Sequence, residues 1–152
     1  FMKRKGYWFY GLSGSGKSFA AKFLNKKIKK SIILDGDYIR KVVSFDLDYK
    51  IKDREIQIKR VLGIAKIAQL SKFIPIISTV YMNKKILSEA KKSGIKVILV
   101  ERDLTNIFRT HPTYKNKKNV VGKDIKLKNL KTRKIFNISK SQFSKELLSL
   151  IR

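Results

Sequence analysis

The stretch Gly6-Tyr7-Trp8-Phe9-Tyr10-Gly11-Leu12-Ser13-Gly14-Ser15-Gly16-Lys17-Ser18 decides how this chain folds. Its last eight residues match G-x-x-x-x-G-K-[ST], a P-loop. Each part of the pattern has a task. Gly11, Gly14 and Gly16 permit the backbone angles and close approach that let successive N–H groups, through Ser13 and Ser15, ring a phosphate. Lys17 reaches the β- and γ-phosphates of a nucleotide such as ATP, and the Ser18 hydroxyl can ligate Mg²⁺. The flanks agree with this reading. Gly6 to Tyr10 reads as a buried first strand, and Phe19-Ala20-Ala21-Lys22-Phe23-Leu24 opens a helix whose N-terminus faces the phosphates. The alternative is a Gly/Ser-rich turn, but strand, loop and helix all fall where the motif requires them.

Working outward, Ser31-Ile32-Ile33-Leu34 is a short β-branched run that ends in Asp35-Gly36-Asp37. Acids at the carboxyl end of a parallel strand lie where open α/β sheets place their ligands. Tyr38 to Val42 reads as a short helix, and 45–52 as a polar loop carrying Tyr49. A long helix is expected from Asp53 to about Ser71, with Ile56, Val61, Ile64, Ala65 and Ala68 near helical spacing. Phe73 to Thr79 reads as a third strand, with Pro75 at its start or on an edge. Asn83 is the expected cap of a helix ending at Gly94, and 96–100 a fourth strand. A helix to about Arg109, a basic lid-like loop over 111–123, a strand over 135–138 and a final helix capped by Ser141 and running to Arg152 complete the reading. Strands alternating with helices predict one α/β domain over 1–152, a doubly wound parallel sheet of about five strands.

Composition narrows the class. A chain of 152 residues with 43% hydrophobic content suits one globular domain with a real core. No apolar run approaches the roughly 18 residues of a membrane span, and no basic-then-apolar leader is evident. Cysteine is absent, which removes disulfides and thiolate chemistry and makes the cytoplasm the expected home. Phe1 ahead of Met2 reads as an added residue, with Met2 the expected start. The net charge of +26 invites a nucleic-acid or anionic-membrane reading. The lysines are scattered, however, and no RNA-binding aromatic signature or helix-turn-helix pattern accompanies them. Nucleic acid is therefore not the expected partner.

Beyond the P-loop, three further segments keep order and spacing with it. They are Leu34-Asp35-Gly36-Asp37-Tyr38-Ile39-Arg40, then Asp46-Leu47-Asp48-Tyr49 with Asp53-Arg54, and finally Asn119-Val120-Val121-Gly122-Lys123-Asp124. Together they resemble the adenylylsulfate (APS) kinase family, whose versions of the last two include D-L-G-F and N-F-T-G-I-D. The resemblance implies a P-loop kinase that transfers the ATP γ-phosphate to the 3′-hydroxyl of a nucleotide, with Mg²⁺. It implies Asp35 as the base or orienter of that hydroxyl, with Asp37 the second candidate or a ligand of metal-bound water. For both acids the alternative is a turn with a helix N-cap. It also implies Arg40 and Arg54 as bidentate grips on the acceptor's anionic groups, ordinary surface cations being the rival reading. Gln57 falls at a family Asn, Arg109 near the lid on the ATP side, and a homodimer is the family's habit. The lone His111, beside Pro112, reads as a solvated loop residue.

The departures concern the acceptor. The family sandwiches adenine between two aromatics; here Tyr49 keeps one and Val120 replaces the other. Losing one stacking face, worth on the order of 1–3 kcal/mol, favours a smaller base. The favoured expectation is a cytidine diphosphoramidate acceptor in capsule biosynthesis, the alternative APS itself in sulfate assimilation. A nucleic-acid-binding protein that uses its P-loop as a nucleotide sensor is the reading from a different class.

Overall fold

The computed structural model describes residues 5–116 and 118–152. Phe1 and Met2, and with them the expected start, lie outside the described residues, as does Lys117 of the expected lid. Along the chain come β1 (Gly6–Tyr10), α1 (Lys17–Lys27), β2 (Ser31–Asp35), α2 (Gly36–Val42), α3 (Ile51–Leu70) and β3 (Ile74–Thr79). Then follow α4 (Lys84–Lys92), β4 (Ile95–Glu101), α5 (Leu104–Thr110), α6 (Thr113–Asn116), β5 (Arg133–Phe136) and α7 (Lys140–Ser149). The strands form one 5-stranded sheet in the order β2-β3-β1-β4-β5. Every pairing is parallel, as in the P-loop kinase fold.

The apolar run of β1 explains its central place. Trp8 and Tyr10 enter one core with Ile58, Val61 and Leu62 of α3 and Ile86 and Leu87 of α4. Tyr7 and Phe9 enter a second core with Ala20 and Leu24 of α1 and Phe143 and Leu147 of α7. Side chains alternate along a strand, so a strand apolar on both faces suits a sheet covered on both sides. Trp8 is buried without stranding its donor, because Nε1–H donates to Thr79 Oγ1 at 2.8 Å. Gly6 opens the strand where a Cβ would meet Ile95 at 2.9 Å and the Pro75 ring at 3.1 Å. Pro75 is the second residue of β3, an interior strand between β2 and β1. It sits near the strand's start, as expected, and not on an edge.

Several boundaries differ from the expectations. The long helix begins at Ile51, with Lys50 at its N-cap, and not at Asp53. The last strand is Arg133–Phe136, paired with Ile98 to Glu101, so Ile138 lies beyond it and is exposed. The last helix is capped by Ser139, whose Oγ accepts from Gln142 N at 3.3 Å, and it ends at Ser149. The segment 111–123 is more than a polar loop: it holds α6 and buries Tyr114, Val120 and Val121.

Candidate active site

The P-loop leaves the carboxyl end of β1, between β3 and β4, where the winding of the sheet reverses and ligands are expected. Gly11 has φ 144°, and a Cβ there would meet the Val100 carbonyl oxygen at 2.4 Å, so no other residue fits without displacing β4. Gly16, at φ 111°, forms the N-cap of α1, and its carbonyl accepts from Ala20 N at 3.0 Å. Lys17 follows, buried to 8% exposure, with Nζ donating to Leu12 O at 2.8 Å. Burial pushes its pKa down to about 8, while Asp37 and then Asp35 pull it upward. Ser18 is exposed in the first turn of α1.

Both acids stand at the carboxyl end of β2. Asp35 is the N-cap residue of α2, yet its side chain makes no capping hydrogen bond, so the helix does not use the carboxylate. Asp37 is exposed in the first turn of α2. Gly36 between them brings the chain close to β3, since a Cβ there would meet Ser78 O at 2.9 Å. Gln57 is buried on α3 and donates from Nε2 to Gly36 O at 3.1 Å. Its Oε1 is buried without a partner among the described residues.

A second group of expected site residues gathers around Arg54. This side chain is 8% exposed; Nε donates to Tyr49 O and Nη2 to Asn119 O, each at 2.9 Å. It therefore ties together two segments 65 residues apart by its Asn119 bond alone. Burial, then neighbouring Arg40, pushes the Arg54 pKa down, while Tyr49, Tyr81 and Asp37 oppose the shift. The Arg40 guanidinium lies 4.4 Å from the Tyr49 ring centroid and also donates to Asp48 O at 3.0 Å. Arg60 grips Asp46 at 2.6 and 2.9 Å, holding the start of the same loop. Tyr49 remains 46% exposed. Val120 does not share that exposure: it packs with Ile107 and Tyr114 at 4% exposure. The Arg109 side chain is exposed in the last turn of α5. A cleft of about 860 Å³ opens beside the P-loop, lined by Leu12, Ser15, Glu101, Leu104, Phe108 and Phe136 among others.

A family model described as adenylylsulphate kinase matches residues 4–129. The chain belongs to the adenylylsulphate kinase family. An adenylyl-sulfate kinase of Clostridium acetobutylicum is 44% identical over 72 residues, 43% of this chain and 36% of that protein. Adenylyl-sulfate kinase 4, chloroplastic, of Arabidopsis thaliana is 33% identical over 119 residues, 74% of this chain and 37% of that protein. The chain thus spans well under half the length of these relatives. Among solved structures, the APS kinase of Mycobacterium tuberculosis in complex with AMPPNP and APS superposes with a TM-score of 0.84. That match covers 98% of this chain and 96% of the other at 21% identity, so it speaks for the fold.

Four residues that sequence reasoning passed over or set aside reach the P-loop. Tyr114, Arg102 and Asn137 donate to its carbonyls, and His111 lies against Gly14, where a Cβ would come within 2.9 Å of the imidazole. His111 stays in a loop and is half-exposed, with one side of its ring packed on Gly14 and not free in solvent. No local signal marks these residues: Tyr114 and Asn137 lie 101 and 122 positions from the carbonyls they bind. Tyr81, in the segment Thr79-Val80-Tyr81-Met82 that departs from the family's F-I-S-P, is half-buried near Glu55 and Arg54, and burial raises its pKa. Among the described residues no group of three His, Cys, Asp or Glu could hold a metal ion, and no helix is long and apolar enough to cross a membrane.

Proposed function

We propose that this domain transfers the γ-phosphoryl group of ATP to the 3′-hydroxyl of adenylylsulfate. The observation that carries the reading is a buried P-loop lysine, Lys17, that feels the charge of Asp37 and Asp35 at the end of β2, where the Asp35 side chain makes no capping hydrogen bond. Phosphoryl transfer demands mainly positioning and charge neutralisation, and this arrangement offers both. The acceptor oxygen bonds to the γ-phosphorus as the bond to the β–γ bridging oxygen breaks, releasing ADP. Asp35 takes the 3′-hydroxyl proton or orients that hydroxyl. Lys17 gives up Leu12 O and turns to the phosphate oxygens. The loop amides from Gly11 to Ser18 hold the chain of phosphates. The cleft beside Leu12 and Ser15 receives the ATP base.

Mg²⁺, when bound with ATP, supplies neutralisation of the β- and γ-oxygens. Ser18 and Asp37 would hold it; one hydroxyl and one carboxylate suit a cation that keeps water and phosphate oxygens as its other ligands. On the acceptor side, Tyr49 is the stacking platform, backed by Arg40. Arg54 spends Nε and Nη2 on backbone carbonyls and keeps Nη1 for an oxyanion. Gln57 and Val120 shape the site from behind. Arg109 is retained as an ATP-side cation only on its place in the chain.

APS replaces the cytidine diphosphoramidate acceptor favoured by sequence reasoning. That expectation rested on Val120, which lies in the Ile107–Tyr114 cluster, whereas the relatives carry the adenylyl-sulfate kinase name. A coupled ADP-release assay across APS, cytidine diphosphate conjugates and plain ribonucleotides tests the assignment. The highest kcat/KM is expected for APS. A cytidine conjugate preferred by about tenfold or more, a difference of roughly 1.4 kcal/mol, overturns the acceptor; silence with every acceptor overturns the kinase.

A further inference from the structure

The P-loop is held from outside by its carbonyls. Tyr114 Oη donates to Ser13 O at 3.0 Å, Arg102 Nη1 to Gly14 O at 3.2 Å, and Asn137 Nδ2 to Ser15 O at 2.9 Å. A trans peptide points its C=O and N–H in opposite directions. Anchoring the Ser13 and Ser15 carbonyls outward therefore aims the N–H groups of Gly14 and Gly16 the other way, into the loop. Neither N–H has a protein acceptor among the described residues. The unit gripped by Arg102 differs, because Ser15 N already donates to Leu12 O at 3.1 Å and serves the turn.

The two anchors of the inward-facing amides stand on different supports. Asn137 directly follows β5, and its own N–H donates to Glu101 O at 2.7 Å, which fixes it to the end of β4. Tyr114 belongs to the α5–α6 segment. Its ring meets Phe108 edge-on at 4.8 Å between centroids, and it packs on Ile107 and Val120. Its carbonyl accepts from Lys123 Nζ at 3.2 Å. Among the described residues of 107–123, Tyr114 supplies a hydrogen bond to the phosphate loop, while the His111 ring lies against Gly14 and Gly122 lies against the Leu12 side chain.

We propose that Asn137 and Tyr114 are positioning residues that set the Gly16 and Gly14 amides for phosphate, and that Tyr114 makes phosphate capture and the seating of the α5–α6 segment one event. The inference rests on the ATP-dependent kinase reading above. Linkage requires reciprocity: if the seated segment favours ATP, ATP favours the seated segment. Neither residue needs to touch the nucleotide.

Calorimetric titration with MgATP and hydrogen exchange of the backbone amides of 104–116 test this together. In wild-type protein MgATP binds and slows exchange across that segment. Tyr114→Phe keeps the ring packing and deletes only the donor; it is expected to weaken MgATP about fivefold, the loss of one ordinary hydrogen bond, and to abolish the ATP-induced protection. Its ligand-free thermal midpoint should fall by only a few degrees, the cost of one hydrogen bond already made without ligand, whereas a merely structural role would leave the ATP-induced protection in place. Asn137→Asp places an oxygen against Ser15 O and is expected to weaken MgATP by more than about tenfold, without altering protection of 104–116 per bound nucleotide. Wild-type affinity and full protection in Tyr114→Phe would overturn the inference while leaving the kinase standing. Wild-type protein that binds no MgATP would overturn both.

Discussion

Lys17 holds an ammonium in a buried place, and this has a measurable consequence. Its pKa lies at about 8 against a usual 10.5, mainly through burial. Below pH 8 the folded and unfolded chains both carry the proton, and the folded one bears the desolvation, at most about 3 kcal/mol. Between about pH 8 and 10.5 the folded chain sheds the proton first, so the unfolded state binds more protons and stability rises with pH. Lys17→Met removes the charge at similar length. It should raise the thermal midpoint at pH 7 by several degrees over wild type, with the gap closing as pH climbs from 8 to 10.5, while turnover falls at least about a hundredfold. An equal or lower midpoint at pH 7 would show that Lys17 is not under strain. The role of such a residue was legible because its signal is local: eight consecutive positions declare it. Tyr114 and Asn137 were not legible, since nothing near them in sequence announces a carbonyl more than a hundred positions away.

At the scale of the element, α2 shows how a site is built from a helix end. Its N-cap is Asp35, with extended backbone and no side-chain capping bond. Asn caps about as well as Asp, so Asp35→Asn should leave stability within roughly 0.5 kcal/mol. Turnover should nevertheless fall about a hundredfold or more with little change in ATP affinity, since the role proposed for the lost group is on the acceptor hydroxyl. A variant that loses stability and keeps turnover would return Asp35 to the helix. Caps were readable where one candidate stood alone: Asn83 accepts from Ile86 N at 2.9 Å, as its position implies. The last helix was expected to start at Ser141, but Ser139 caps it, two residues earlier, and Phe143 and Leu147 face the α1 side of the sheet. The last strand was misplaced as well. Ile138 looks like strand, but the chain turns after Phe136 and leaves it 80% exposed.

At the scale of the molecule, the order β2-β3-β1-β4-β5 brings every strand's carboxyl end to one rim of the sheet. Asp35, the P-loop, Thr79, Arg102 and Asn137 all leave from that rim, which is why residues so distant in sequence converge. The alternation of elements was sufficient to foresee this arrangement, because a parallel crossover leaves the chain few other paths. The acceptor could not be read in the same way. It was inferred from the type of residue at 120, and residue type does not report that the side chain is turned into a small core with Ile107 and Tyr114. The net charge of +26 belongs to this scale too: it favours encounter with anionic nucleotides and says nothing of which one is phosphorylated. Product analysis says it most directly. Wild-type protein is incubated with Mg²⁺, ATP labelled in the γ-phosphate, and APS, and the products are resolved by phosphorus NMR and mass spectrometry. The account predicts one ADP for each APS consumed and the label in a phosphomonoester on the 3′-oxygen; label found in inorganic phosphate, or at any other position, would contradict it.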